Sequence, residues 1–418
     1  MNEKIVALSI GNKYLTATMS KNEFGENKII ASAIVESKGV KRGKIEDLEL
    51  LVNSIGEVIE KLKKATKEKI SDLYIALSTE DIRIVESKGS YTLDKNRSIE
   101  KEQIEKAYLN GKSTELKEDE CIADAIIKSF YTTESGYIEN PLGMKSKLLE
   151  VELNLIVCKK DFIADIKKAI MSLGINVNGF ILAIDALNKY LLMEDEIKEQ
   201  NNVIINFGAE KVEVGMFFKN KIKKISTVPL GARDITKDIA IVTKIKEDKA
   251  EAIKVENSVN FITIRNNFGK IEIENEKIEA TLLYEVINAR LEEITSYIKK
   301  TIETSVDYDR IDNVIIVGEG IVNFENIKAF LEGVFNKNIV IFTKEELNLE
   351  IYSTIMSNAI VKEVYDRLKL LYKKDVFSIV TYNKAKEIVS KNTIFKDKDS
   401  KENKGKLSKV LGFLGDIF

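Results

Sequence analysis

Histidine is absent from the 418 residues, and there are only two cysteines and two prolines. Without histidine the usual zinc ligands are missing, and so are the Ser-His and Cys-His pairs of nucleophilic catalysis. Cys121 and Cys158 are too few for a disulfide framework and fit a reducing compartment. No run of 18 apolar residues occurs, so no membrane-spanning helix is expected. The short apolar stretch Ile5 to Ile10 lacks a basic leader and a cleavage site, and reads as a buried strand. Charge of one sign is also missing: 65 basic and 67 acidic residues leave a net charge of -2. That balance excludes a chain-wide nucleic-acid surface. What is present is an ordinary 44% of hydrophobic residues, in a chain long enough for two large lobes.

The clearest internal signal is a repeat. Val6 to Met19 reads VALSIGNKYLTATM and Val203 to Met216 reads VIINFGAEKVEVGM. Ser9 aligns with Asn206 and Gly11 with Gly208 without a gap, at an offset of 197 residues. Each unit is an apolar strand, a glycine turn and an alternating strand, and the glycine is expected to supply a positive φ. Two such hairpins predict two related lobes. Between and after them the apolar spacing predicts helices at 46–65, 99–110, 161–173, 280–301 and 325–335. Strands are expected at 73–77, 148–157 and 314–317.

The end of the chain differs in kind. Residues 391–406 are polar, Lys-rich and without periodicity, and a flexible linker is placed at 376–406. Beyond it, Leu407, Val410, Leu411, Leu414, Ile417 and Phe418 fall on one helical face, which Phe413 widens. Lys404, Lys406 and Lys409 flank that face. A short basic amphipathic helix suits a membrane interface, each lysine adding about 1 kcal/mol near anionic lipid. Gly412 and Gly415 weaken such a helix in water, so it is expected to form on binding. The competing reading is a terminal helix docked on the protein's own core.

The two glycine hairpins resemble the paired phosphate-binding loops of actin, hexokinase and the heat-shock ATPases. Further segments are similar to the bacterial cell-division family FtsA, in order: GVKRGKIED (39–47), NPLGMKSKLLEVELNLIV (140–157), PLGARDITKDIA (229–240), AEAIK (250–254), INARLEE (287–293) and VGEGIVNFENI (317–327). The resemblance implies an α/β, actin-like (ribonuclease H-like) fold. Its first lobe would take 1–83 and 162–195, with an inserted α+β subdomain at 84–161. The second lobe would take 196–235 and 312–375, with a small subdomain at 236–311.

The resemblance also implies an ATP site built from Ser9, Gly11, Asn12, Lys13, Asn206, Gly208, Ala209, Glu210, Gly231, Glu251, Lys254, Gly318, Glu319 and Gly320. In the family each turn presents backbone N–H groups to the phosphates, and Gly318 and Gly320 would let the backbone close over the base. Where the family carries acids that hold Mg²⁺ through water, this chain has Ser9 and Asn206. Glu210 would add a negative charge near the phosphates, which Lys13 would offset. No catalytic residue and no metal ligand is assigned, and weak or absent hydrolysis is expected.

The implied role is a tether at the cytoplasmic face of the inner membrane, at the division site. It would join anionic lipids to the C-terminal peptide of FtsZ, polymerise with itself and meet other division proteins, with no nucleic acid involved. A pilus-assembly adaptor of the same superfold and an active actin-fold kinase are the alternatives. Co-sedimentation with anionic liposomes is expected to pellet the full chain and to lose most of that binding when residues 407–418 are removed. Equal pelleting of both would refute the membrane helix.

Overall fold

The structure, a computed structural model, describes residues 4–371 apart from 24–25, 79–80, 194–195, 259–268, 274–275, 319, 323, 344–346 and 348. The expected linker at 376–406 and terminal helix at 407–418 lie outside the described residues.

The chain opens with β1 (Lys4–Ile10), β2 (Tyr14–Glu23) and β3 (Glu26–Glu36), then the small hairpin β4 (Val40–Lys41) and β5 (Lys44–Ile45). Helix α1 (Leu48–Thr66) follows; Asp47 caps it by accepting from Leu50 N at 3.0 Å. Its Leu51, Ile55, Val58, Ile59 and Leu62 form the buried stripe. After β6 (Asp72–Leu77) come β7 (Arg83–Ser98), α2 (Lys101–Gly111), β8 (Glu120–Thr132), β9 (Gly136–Ile138) and β10 (Lys145–Lys159). Then α3 (Lys160–Met171), β11 (Asn176–Leu182) and α4 (Ala183–Leu191) return to the first lobe.

The second lobe begins with β12 (Asn201–Phe207), β13 (Val212–Phe218) and β14 (Lys221–Val228). Next are α5 (Ala232–Thr243), α6 (Glu247–Ser258), the pair β15 (Lys270–Ile273) and β16 (Glu276–Glu279), and α7 (Ala280–Glu303). Strand β17 (Asn313–Val317), α8 (Ile327–Phe335), β18 (Asn338–Ile341) and α9 (Leu349–Leu370) complete the described chain. Among the described residues no helix is long and apolar enough to cross a membrane.

Two five-stranded sheets carry the architecture, ordered β11-β6-β1-β2-β3 and β14-β13-β12-β17-β18. In each, a meander of three antiparallel strands continues into two parallel ones. The same topology therefore occurs twice. The repeat is kept to the residue: Ser9 pairs with Thr16, and 197 positions on Asn206 pairs with Glu213. A separate four-stranded sheet, β7-β10-β8-β9, carries α2 and forms the insertion in the first lobe. This is the two-lobed, actin-like α/β fold with an α+β insertion.

One element departs from the expected division. Residues up to 375 were placed in the second lobe, yet α9 packs on the first. Ser357 Oγ and Asn358 Oδ1 each lie 2.8 Å from Thr18 Oγ1 of β2. Further along, Arg367 donates through Nε to Glu363 at 2.6 Å and through Nη2 to Asp124 of β8 at 3.2 Å. Lys189 of α4 reaches Glu363 at 2.8 Å, and Asp124 accepts Leu182 N at 2.8 Å. Asp124, Glu363 and Arg367 are all buried, so this network ties α9 to α4 and to the inserted sheet at once.

Burial alone would raise the carboxyl of Glu363, but the Lys189 and Arg367 cations outweigh it and hold it down at about 2. A depressed acid stabilises the fold fully above its ordinary value of 4.5, and that stability is lost as pH falls from there to about 2. Glu363→Gln is accordingly expected to flatten the decline of the urea midpoint over that window, and an unchanged slope would contradict it. Arg367→Met leaves buried carboxylates unmatched and is expected to cost about 3–5 kcal/mol. A loss below about 1 kcal/mol in urea unfolding, the level of an exposed pair, would show that the network is not dry.

Candidate functional site

Four parallel strands, β1 and β6 in one lobe and β12 and β17 in the other, end at a single cleft. Ligands of open α/β sheets bind at such carboxyl ends. The cleft holds a cavity of about 810 Å³, within the range of ligand pockets. Ser9, Gly11, Asn12 and Lys13 line it from the first lobe. Asn206, Gly208, Ala209 and Glu210 face them, with Glu251, Lys254, Gly318 and Gly320 further along. Gly231 is not among the lining residues, and Glu319 lies outside the described residues.

The glycines are required for a reason other than the one expected. Gly11 and Gly208 do not have positive φ. Instead Gly11 N donates to Tyr14 O at 3.0 Å, and Gly208 N to Lys211 O at 3.1 Å. A methyl on either would stand 2.7 or 2.8 Å from that same carbonyl oxygen. The two glycine N–H groups thus close their own turns and do not point at an anion. Gly318 and Gly320 are crowded in the same way: a methyl there would meet Phe207 O at 2.4 Å and the Phe207 ring at 2.3 Å, respectively. Their space is filled by Phe207 beneath them, and only Gly318, at φ 109, needs glycine for its backbone. Gly231 supports the second loop from behind: a methyl on it would lie 2.5 Å from Ala209 O. The two residues after it open α5 by donating to Gly208 O and Ala209 O, at 3.1 and 2.7 Å.

The charges are arranged in pairs. Glu210, expected to place a negative charge near the phosphates, is buried; it accepts from Arg233 Nη1 at 2.9 Å and from Arg42 N at 2.7 Å. Lys13 does not offset it. Its Nζ reaches across to Glu251 at 3.3 Å. Glu251 also accepts from Lys254 at 2.6 Å, and the buried Lys254 ammonium lies 2.8 Å from Thr236 Oγ1. Partial burial would raise the Glu251 carboxyl, but Lys254, Thr236 and Lys13 hold it at about 2. It is therefore an anion at neutral pH.

The turn between β4 and β5 joins the two hairpins. Arg42 and Gly43 both lie in the left-handed region, at φ 47 and 74, as a two-residue hairpin turn requires. Gly43 N donates to Asn12 Oδ1 at 2.8 Å, while Arg42 N serves Glu210.

Several residues were missed by sequence reasoning. Lys211 and Glu213 are buried on the cleft floor, and Ser78 follows the end of β6. Lys211 Nζ lies 2.8 Å from Ser78 Oγ and 3.3 Å from Glu213, and Ser78 Oγ donates to Glu213 at 2.6 Å. Asn206 Nδ2 completes the cluster at 3.2 Å from Glu213. The available signal was the repeat, which puts Glu213 opposite Asn206 in the hairpin. Mg²⁺ prefers carboxylate and water oxygens. Here Ser9 and Asn206 are neutral, Glu213 is matched by an ammonium, and the described residues contain no cluster of three His, Cys, Asp or Glu. The donor set does not fit a metal.

Comparison with known proteins agrees with this geometry. The sequence model of "Cell division protein FtsA" matches residues 203–360, and that of the "SHS2 domain inserted in FTSA" matches 79–157. Between them they cover more than half of the chain. The cell division protein FtsA of Buchnera aphidicola subsp. Acyrthosiphon pisum is 24% identical over 356 residues, covering 80% of this chain and 83% of the relative. That of Borreliella burgdorferi is 25% identical over 344 residues, covering 79% and 82%. Among solved structures, the PilM-PilN type IV pilus biogenesis complex shares the fold, with a TM-score of 0.58 and 13% identity over 88% of this chain and 99% of that one. With its duplicated actin-like sheets, its inserted subdomain and these relatives along four-fifths of its length, the chain belongs to the FtsA family of cell division proteins, as a divergent member.

Proposed function

We propose that this protein is a nucleotide-binding adaptor that holds the division ring to the membrane. The observation that carries the nucleotide half is the cleft itself, where two hairpins of identical register face each other across a ligand-sized cavity. ATP is the ligand the family resemblance implies. Its phosphates would lie between the Gly11 and Gly208 turns, and its ribose and base toward Glu251, Lys254 and Gly318. Weak or absent hydrolysis follows from the side chains. Ser9 and Asn206 cannot act as bases, and the Glu213 carboxylate is already engaged by Ser78, Lys211 and Asn206.

The tethering half rests on family membership and on the amphipathic pattern of residues 407–418. In this reading the terminal helix lies in anionic lipid on the cytoplasmic face of the inner membrane, at the division site. The second lobe's small subdomain receives the FtsZ C-terminal peptide, and protomers stack so that many weak helices act together. Residues 376–406 serve as the linker between ring and membrane. Fold likeness to a pilus complex at 13% identity gives the pilus adaptor no comparable support.

Calorimetry is expected to show ATP binding, with phosphate release close to the buffer control. Turnover at about 1 s⁻¹ or faster, the range of ordinary enzymes, would remove the hydrolysis claim. Absence of heat and of thermal stabilisation with ATP would remove the binding claim.

A further inference from the structure

We infer that the ammonium of Lys211 stands in for a divalent cation in this cleft, so that the chain binds nucleotide without metal. The inference rests on the nucleotide reading above and deepens it. Lys211 closes the second turn with its own carbonyl, and its side chain is buried at the cavity floor. Nζ lies between the lobes: 2.8 Å from Ser78 Oγ and 3.2 Å from Ser78 O in the first, and 3.3 Å from Glu213 in the second. The β4–β5 turn covers it so closely that a methyl built on Gly43 would stand 3.1 Å from Nζ. A fixed positive charge therefore sits at the cavity floor, between Ser78 of the first lobe and the second hairpin, within reach of the space proposed for the phosphates.

The carboxylates on the second-lobe loop and strand beside Lys211 are already paired. Glu213 is matched by Lys211 and Glu210 by Arg233, while Ser9 and Asn206 are neutral. A divalent ion at the cavity floor would meet the ammonium's repulsion, and the adjacent Glu213 carboxylate is already paired. A lysine, by contrast, is a compact point charge that binds phosphate oxygens directly. The two longer contacts of Nζ exceed the usual length of a charge-assisted bond and can be exchanged for a phosphate oxygen. The position matching Lys211 in the first hairpin is Tyr14, so the repeat supplies no second ammonium at that place, and Lys13 beside it is directed to Glu251.

The test is ATP binding to the full chain by calorimetry, in excess EDTA and in excess Mg²⁺. Affinities within about threefold of each other are expected, whereas a gain of about tenfold or more with Mg²⁺ overturns the inference. Lys211→Met is expected to lose about tenfold or more in EDTA and to recover part of it with Mg²⁺, because Glu213 is then unmatched. Unchanged binding of that variant in EDTA also overturns it. Should the variant melt far below the parent, the parent's own EDTA and Mg²⁺ titrations decide the question. No ATP binding in either buffer removes the nucleotide reading and this inference together, while a strict Mg²⁺ requirement removes the inference alone.

Discussion

A carbonyl oxygen lies against a glycine Cα at the tip of each hairpin, Tyr14 O at Gly11 and Lys211 O at Gly208. Any side chain at either glycine would collide with backbone, which cannot move aside as a flexible side chain can. The turn shape is therefore imposed by main-chain atoms, and the same sheet topology behind each turn delivers it to the same place. The start of α5 adds a second support by donating two N–H groups to the Gly208 and Ala209 carbonyls. Cleft geometry is a backbone property here, and cleft chemistry is a side-chain property. The two can change independently: the turns are held by main-chain atoms, whereas Ser9 and Asn206 present only neutral side chains to the cavity.

Helix α9 connects that cleft to the rest of the first lobe. Near its start the Tyr352 hydroxyl accepts from Gly318 N at 3.1 Å, at the cavity wall. Near its end Arg367 joins Glu363 and Asp124. The helix has 22 residues, which at 1.5 Å per residue is about 33 Å. One rigid element thus touches the cavity, the face of β2 and the inserted sheet in turn. Its buried charges add little net stability over an apolar core, but they fix which surfaces meet, because each is costly when unmatched.

These features differ in how well the residue pattern reveals them. The hairpins, α1, α7 and β17 are legible because their apolar spacing reports burial on a single face or on two. Helix α9 was not, since Thr354, Ser357, Asn358, Glu363 and Arg367 are polar yet buried. Ser357, Asn358, Glu363 and Arg367 each have a partner far away in sequence, such as Thr18, Lys189 or Asp124, and no local rule supplies it. The cleft floor was hidden in the same way. Lys211 and Glu213 carry no local signal of burial, and only the fold brings Ser78 beside them. The glycines were found for the right turns and the wrong cause, since sequence marks where glycine sits and not whether φ or crowding demands it.

Crowding and charge together explain why the cleft stays assembled. Three of its contacts cross from lobe to lobe: Arg42 N to Glu210, Lys211 to Ser78, and Lys13 to Glu251. The first two are short and buried or partly so, where the low local dielectric strengthens them. The third is long, and Lys13 is substantially exposed, so solvent screens it and it contributes little. Lobe closure is therefore strongest at the hairpin end and weakest at the α6 end.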